Sequence, residues 1–445
     1  MRFSKEWIEV FHKRKGLFSV FVFYLITLYI VYNLALSRLY SYSQTVYTPN
    51  YLKLILSVFL CIITFIFVPK DSKKPSTYLY YIYYLITYLP TVMFYWMADK
   101  PTDYIVYETI CFVLISLIVK PTFLTIRIKA EHGLLIIYSF FIIYVAFCVI
   151  LVFRNGGIHI NALIKDLYQL RSENNTSGVL GYILNWCAKS FMPFYFVYFF
   201  LKKNYGCVCL VSFLQMLLFF SYGFKAYIMA VFMIIAVGYL MRNSSAFLRN
   251  ITISLSAGNI GATLLFFLGS TMLLNLFPYR TLFLPSQGQF EYYDFFTHNK
   301  FLYFSEGSIG KLFGMKYPYT QQIGRVVNAY IYGADKISNG NTGVLSYGYA
   351  DLGVWGMILG AILIGIILNV VDSSTDKLPI MIPVSAMAYQ MFMLNDNNIL
   401  ICLNTGGIIW TIVMLIMFNS VYSSLKFEYN SLIRWKSGVH YKFKL

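Results

Sequence analysis

Charge is scarce in this chain. Only 12% of its 445 residues are Asp, Glu, Lys or Arg, while 59% are hydrophobic, and acids are outnumbered by bases, 18 to 35. That poverty excludes an ordinary soluble domain, which carries charge on about a quarter of its residues. Glycine-rich phosphate loops are missing too: nothing matches G-x-x-x-x-G-K-[ST] or G-x-G-x-x-G, so neither ATP nor a sugar nucleotide is expected to bind on the cytoplasmic side. The seven cysteines (61, 111, 148, 187, 207, 209 and 402) all fall inside apolar runs, and Cys207 and Cys209 form C-x-C with no second pair. They offer neither a disulfide framework nor zinc-ligand spacing and read as small packing residues. The formal charge of +17 would suggest nucleic acid in a soluble protein, but here many bases sit in short links between apolar runs. That is a sign of membrane topology.

What is present is length of apolar run, with 40 Tyr and 40 Phe. Uninterrupted apolar stretches cover 17–36, 51–69, 78–97, 103–119, 133–153, 182–201, 205–221, 223–241, 251–277, 343–371, 379–394 and 399–421. Most are long enough to cross a bilayer, where backbone polar groups must be satisfied internally, so they predict helices. The expected fold is an all-α polytopic integral membrane protein with about twelve transmembrane helices in a single transmembrane domain, 1–445. The first run is followed by "LALSRLYSYSQ", which lacks a small-x-small cleavage site, so it reads as a retained span.

Basic residues in the short links set the expected sides. Lys and Arg crowd the N-terminus, 70–77, 120–132, Lys202 with Lys203, 242–250 and the C-terminus; the alternate links carry only Arg38 and Lys100. The positive-inside rule then places both termini in the cytoplasm, and the two long loops, 154–181 and 278–342, outside.

In the first loop, Ile160, Leu163, Ile164, Leu167 and Leu170 recur at helical spacing and would hold Arg171 near the headgroups. Asn174 and Asn175 open two glycosylation triplets, a pattern common by chance. The second loop is rich in aromatics, among them Tyr279, Tyr292 and Tyr293, with Tyr347 just beyond it. Such rings suit an interfacial belt, a small core or a surface that covers sugar faces. No charged residue separates Arg249 from Arg280, which ends a long uncharged stretch. Arg280, Arg171 and Arg325 can each snorkel to a lipid headgroup or, gathered together, grip one pyrophosphate through their forked donors. Lys225 and Lys189 lie within apolar runs, where an ammonium either reaches the interface or faces an anionic substrate. Asp294, His298, Glu306 and Asp351 are the candidate bases or acceptor-orienting groups, and Asp351 at a membrane boundary calls for a partner, with Arg280 or Arg325 in view. Gly356 and Gly360 form a small-x-x-x-small pair in the span that follows.

Three segments carry a family resemblance: "YQLRSENNTSGVLGY" at 168–182, "YRTLFLPSQGQFEYYDFF" at 279–296 and "TGVLSYGYADLGVWG" at 342–356. With two unequal outer loops, each bearing an arginine, the chain resembles the bacterial O-antigen, or oligosaccharide repeat-unit, polymerases of the Wzy-like kind. The resemblance implies an inner-membrane glycosyltransferase acting at the periplasmic face on undecaprenyl-pyrophosphate-linked oligosaccharides, as both donor and acceptor. It further implies Arg171 and Arg280 as pyrophosphate-binding residues, a chain-length regulator in the same membrane as partner, and no cofactor or metal. Arg325 and Lys225 join them on charge and position alone. Two alternatives stand beside it: an O-antigen ligase acting on lipid A core, for which His298 speaks, and a lipid-linked oligosaccharide flippase, which fits the span count but not the unequal lobes.

Overall fold

The computed structural model describes residues 15–41, 45–122, 133–159, 178–307, 310, 312–333 and 340–422. Its helices, in chain order, are α1 Lys15–Val31, α2 Tyr51–Phe67, α3 Pro75–Tyr83, α4 Leu89–Met97, α5 Thr102–Val119, α6 Gly133–Arg154, α7 Val179–Trp186, α8 Met192–Leu201 and α9 Tyr205–Tyr222. They continue as α10 Lys225–Leu240, α11 Phe247–Phe267, α12 Leu284–His298, α13 Ile323–Tyr332, α14 Val344–Leu352, α15 Val354–Ser374, α16 Met381–Leu394, α17 Ile399–Leu403 and α18 Ile408–Tyr422. Among the described residues, 7 helical stretches are long and apolar enough to cross a membrane, which fits a polytopic all-α protein. One of them, Lys225–Phe267, is two helices, because Asn243 leaves helical geometry at φ −120°, ψ 83°.

Two expected spans differ in detail. The run 251–277 stops being one helix at Phe267, where Gly269 takes φ +88° and turns the chain. A second helical run then begins at Met272 and continues through a π-helical stretch, Asn275–Phe283, into α12. Arg280 therefore lies inside a helical run rather than directly after a span. The run 343–371 is also divided: Gly353 at φ +61° separates α14 from α15, and leaves Asp351 in the short helix before the long one. A left-handed φ at that junction favours glycine, which has no Cβ to clash.

The chain forms two compact units. One comprises Met1–Ile126, Ser244–Ser373 and Met387–Ile408; the other comprises Arg127–Asn243, Ser374–Ala386 and Ile409–Leu445. In the first unit α1 packs along α11, and α2 packs on α4 and α5. At the centre lie α3, a π-turn at Tyr84–Tyr88, and α4, all of whose residues are buried. A helix apolar on every side belongs in the middle, and here tyrosine supplies the volume while its hydroxyl finds partners. Tyr80 donates to the Phe112 carbonyl at 3.1 Å, Tyr88 meets the Thr109 hydroxyl at 2.8 Å, and Tyr81 that of Thr252 at 2.8 Å. In the second unit α9 packs on α6, α8 and α10, with Tyr195 donating to the Ile137 carbonyl at 2.8 Å and Tyr222 to that of Leu151 at 3.0 Å.

Three π-turns are each followed by a proline, and the combination opens the backbone ladder. After Tyr84–Tyr88, the Leu89 N–H reaches back to the Tyr84 carbonyl, and Pro90 has no N–H to give. The two carbonyls Pro90 would otherwise reach are taken by side chains: Leu85 accepts from the Tyr24 hydroxyl at 3.0 Å, and Ile86 from Asn395 Nδ2 at 3.3 Å. The same arrangement precedes Pro285, where Leu284 N–H reaches Tyr279 and the Thr281 carbonyl accepts from Asn395 Nδ2 at 3.2 Å. In the second unit, Met192 N–H reaches Cys187 ahead of Pro193, and Gln215 Nε2 takes the Ala188 carbonyl at 3.2 Å and that of Tyr227 at 2.9 Å. Proline removes a donor and clashes with the preceding turn, and a carbonyl left unpaired in a dry interior costs about 1 to 3 kcal/mol.

Helix ends receive the same treatment. Asn369 on α15 donates to the carbonyls of Ile118 and Pro121 at the end of α5, at 3.3 and 2.5 Å. Asp372 accepts the Ser76 N–H at 2.8 Å and its hydroxyl at 2.6 Å, capping the start of α3. Replacing Asn395 with Leu is expected to strip two buried carbonyls of their donor and to destabilise the folded protein by about 2 to 4 kcal/mol. Unfolding in detergent measures this, and an unchanged midpoint contradicts the capping role.

Candidate functional site

The helical run from Met272 to His298 carries the first set of polar groups. In α12, Gln287 and Glu291 are one turn apart and share a face. Gln287 Nε2 donates to Glu291 Oε1 at 2.7 Å, the Tyr332 hydroxyl from α13 donates to the same oxygen at 2.5 Å, and Gln287 also contacts that hydroxyl. The Thr45 hydroxyl donates to Gln287 Oε1 at 3.3 Å. Burial pushes the Glu291 carboxyl above the ordinary range, against the lowering effect of Tyr332, Gln287 and the charge of Lys100.

Lys100 is placed by its own backbone. The preceding Asp99 takes φ +47°, its carboxylate pairs with Lys53 at 2.8 Å, and Lys53 Nζ also donates to the Lys100 carbonyl at 2.6 Å. The Lys100 ammonium then lies 5.5 Å from the centre of the Phe94 ring. Burial lowers its pKa, and Glu291, Asp294 and Asp99 oppose that shift.

A second polar set joins α12, α13, α14 and the turn after α12. Asp351 Oδ1 accepts the Phe304 N–H at 3.0 Å, while Tyr303 N–H reaches the Asp351 carbonyl at 3.1 Å. Tyr303 and Phe304 take φ +51° and +61°, a left-handed pair that non-glycine residues adopt at a cost. Glu306, in the same turn, accepts the Ile323 N–H at 2.7 Å and so caps α13. Burial raises Asp351 to about 7, the Phe304 N–H lowers it, and the neighbouring Glu306 raises it further. Glu306 itself is raised by burial and lowered by its bond to Ile323. Beside these acids the Tyr292 hydroxyl donates to the Gly340 carbonyl at 2.9 Å and lies 3.4 Å from the Tyr347 hydroxyl, and Tyr347 feels Glu306, Asp396 and Asp351.

The sequence candidates thus fall into distinct groups. Asp351, Glu306, Tyr292 and Tyr347 come together. Tyr293 is core, packed between Tyr104 and Tyr349. Tyr279 stacks flat on Tyr40, ring centres 3.7 Å apart. Asp294 and His298 lie at the exposed end of α12, 4.0 Å apart, with the imidazole Nδ1 held 2.9 Å from the Asp294 carbonyl. Arg280 and Arg325 are exposed, and Lys225 is exposed at the start of α10 in the other unit. Arg171 lies outside the described residues, as does most of loop 154–181. Asp351 is held by the Phe304 backbone, and among the described residues no ion pair joins it to the expected Arg280 or Arg325.

No family model, no curated protein and no solved structure matches the chain. Its chemistry is therefore read from its own residues. Among the described residues no group of three or more His, Cys, Asp or Glu gathers as a metal site would require. Sequence reading passed over Gln287, Glu291, Tyr332 and Lys100 as site residues, although the one-turn spacing of Gln287 and Glu291 was a visible sign.

A carboxyl at about 7 beside a second acid is suited to exchange a proton near neutral pH. Carboxyl NMR of the purified protein is expected to show Asp351 titrating near 7, and nearer the ordinary value in Glu306→Gln; titration near 4 contradicts the arrangement. The linkage has a defined sign. Because the folded value lies above the unfolded one, this group's stabilisation is complete below about pH 4 and is lost as pH rises through 7. Asp351→Asn, which keeps an oxygen for the Phe304 N–H, is expected to unfold at a higher midpoint than the native protein at pH 8, measured by thermal denaturation.

Proposed function

We propose that this chain is a membrane glycosyltransferase that polymerises undecaprenyl-pyrophosphate-linked oligosaccharide units at the periplasmic face of the bacterial inner membrane. The observation that carries the reading is the Asp351 carboxyl, held by the Phe304 N–H and raised to about 7, near the Tyr347 and Tyr292 hydroxyls. It is supported by the exposed Arg280 on the helical run leading into that lobe, by the basic links that orient both termini to the cytoplasm, and by the resemblance of three sequence segments to repeat-unit polymerases.

The reaction needs two things from the protein. An acceptor hydroxyl attacks the anomeric carbon of the donor glycan, a new C–O bond forms, and the bond to the pyrophosphate oxygen breaks. Asp351 takes the hydroxyl proton, and Arg280, with Arg171 and Arg325 as further candidate cations, stabilises the charge that gathers on the departing pyrophosphate. Pyrophosphate leaves without protonation, so no acid is required on that side. Tyrosine faces and hydroxyls hold the sugar rings. Lys225, on the other unit, is a further cation for the lipid headgroup.

Arg280→Ala is expected to reduce polymer to single-unit glycan in a strain that lacks the native chain, and Arg280→Lys to restore only part of the ladder, because lysine lacks the fork. Full-length ladders from both variants at normal abundance contradict the assignment. In an assay with purified protein, the native rate is expected to fall as pH drops below about 7, and Asp351→Asn to lose at least about a hundredfold in rate. A deletion strain separates the readings: core capped with one unit fits a polymerase, whereas uncapped core with polymer left on its carrier fits a ligase.

A further inference from the structure

Within α5, a helix long and apolar enough to cross a bilayer, Glu108 is completely buried, and neither oxygen of its carboxyl has a hydrogen-bond partner among the described residues. The Tyr83 hydroxyl, also buried, has the Thr87 hydroxyl as a neighbour but makes no well-formed hydrogen bond among the described residues, in contrast to the phenols of Tyr88 and Tyr104. Tyr83, Tyr88, Tyr104 and Cys111 all feel the Glu108 charge. Tyr83 closes α3 and Tyr88 closes the π-turn, so the acid faces the very place where the central helix departs from regular geometry. Such irregular turns often mark functional positions.

Against α5 pack α2, α3, the π-turn and α4, with α15 against Ile118 near its end and α12 and α14 reached through Tyr104. The titratable groups they and α5 bring to this neighbourhood are Cys61, Tyr83, Tyr84, Tyr88, Tyr104 and Cys111, with Cys402 beside Tyr83. None is basic, and no lysine, arginine or histidine acts on Glu108. An uncompensated carboxylate in so dry a place is costly. Among the described residues no side chain supplies the counter-charge, so it falls to a bound cation.

We propose that Glu108, with the Tyr83 hydroxyl, is an intramembrane site for one monovalent cation, a proton or a sodium ion, reached from the side of the α12–α14 lobe. Tyr104 lies one turn from Glu108 on the same face of α5, and its hydroxyl bonds to Gln289 of α12 at 2.9 Å and Ser346 of α14 at 3.0 Å. Those hydroxyls form a polar step between the buried acid and the lobe. The site does not rest on the glycosyl-transfer reading and stands or falls separately from it.

The test uses the purified full chain in lipid nanodiscs and an apolar carbodiimide, which modifies protonated carboxyls inside membranes, with mass spectrometry locating the adduct. An adduct on Glu108 that falls about tenfold or more between about pH 6 and pH 9, equally in sodium and choline chloride, identifies the proton. Suppression by sodium and not by choline at equal ionic strength identifies sodium. In Glu108→Gln the adduct on this peptide is expected to vanish while the protein elutes as the native one does; should that variant fail to fold, the native chain's pH and sodium responses decide alone. An adduct indifferent to both pH and sodium, or none under any condition with the peptide recovered, overturns the site.

Discussion

The structure depends on one constraint: in a water-free interior, every backbone carbonyl must have a donor. Three prolines break that rule locally, each behind a π-turn, and each break is closed by a side chain from elsewhere in the same unit. Asn395 closes two at once, on the central helix and on the run that carries Arg280. Tyr24 and Gln215 close the others. Because the amide of Asn395 ties Thr281 to Ile86, it also fixes where the helical run enters the lobe. The position of Arg280, and the burial of the α12 face that holds Gln287 and Glu291, follow from that tie.

Bends of this kind let polar chemistry sit beside an apolar bundle. The helical run that bends at Pro285 brings Glu291 under Tyr332, and the break at Gly353 sets Asp351 against the turn at Phe304. Burial then does the rest, raising both carboxyls with no arginine among the described residues acting on either. An acid near neutrality is thus a product of packing: burial keeps water away and Glu306 adds a like charge, and together they outweigh the lowering effect of the Phe304 N–H.

Much of the helical layout was legible in the sequence, because a long apolar run has few other fates in a bilayer. The breaks were not. Pro90, Pro193 and Pro285 were visible, but a π-turn leaves no mark on hydropathy, and Asn395 in "NDNN" looks like any polar link until its amide is found between two carbonyls. Asp351 was singled out for its place near an expected membrane boundary, and its neighbour is an acid held by the start of α13, a relation that only folding creates. Glu108 was the clearest sign passed over: past the first turn of its run it is the one charged residue in the span.

The proposed function requires the loops that carry Arg171 and Arg280 to face the same side of the membrane. Cysteines at positions 171 and 280, placed one at a time in a chain whose native cysteines are replaced, and treated with an impermeant maleimide in intact spheroplasts, test this directly. The account predicts that both are modified from the periplasmic side; modification of one only after the membrane is opened contradicts it.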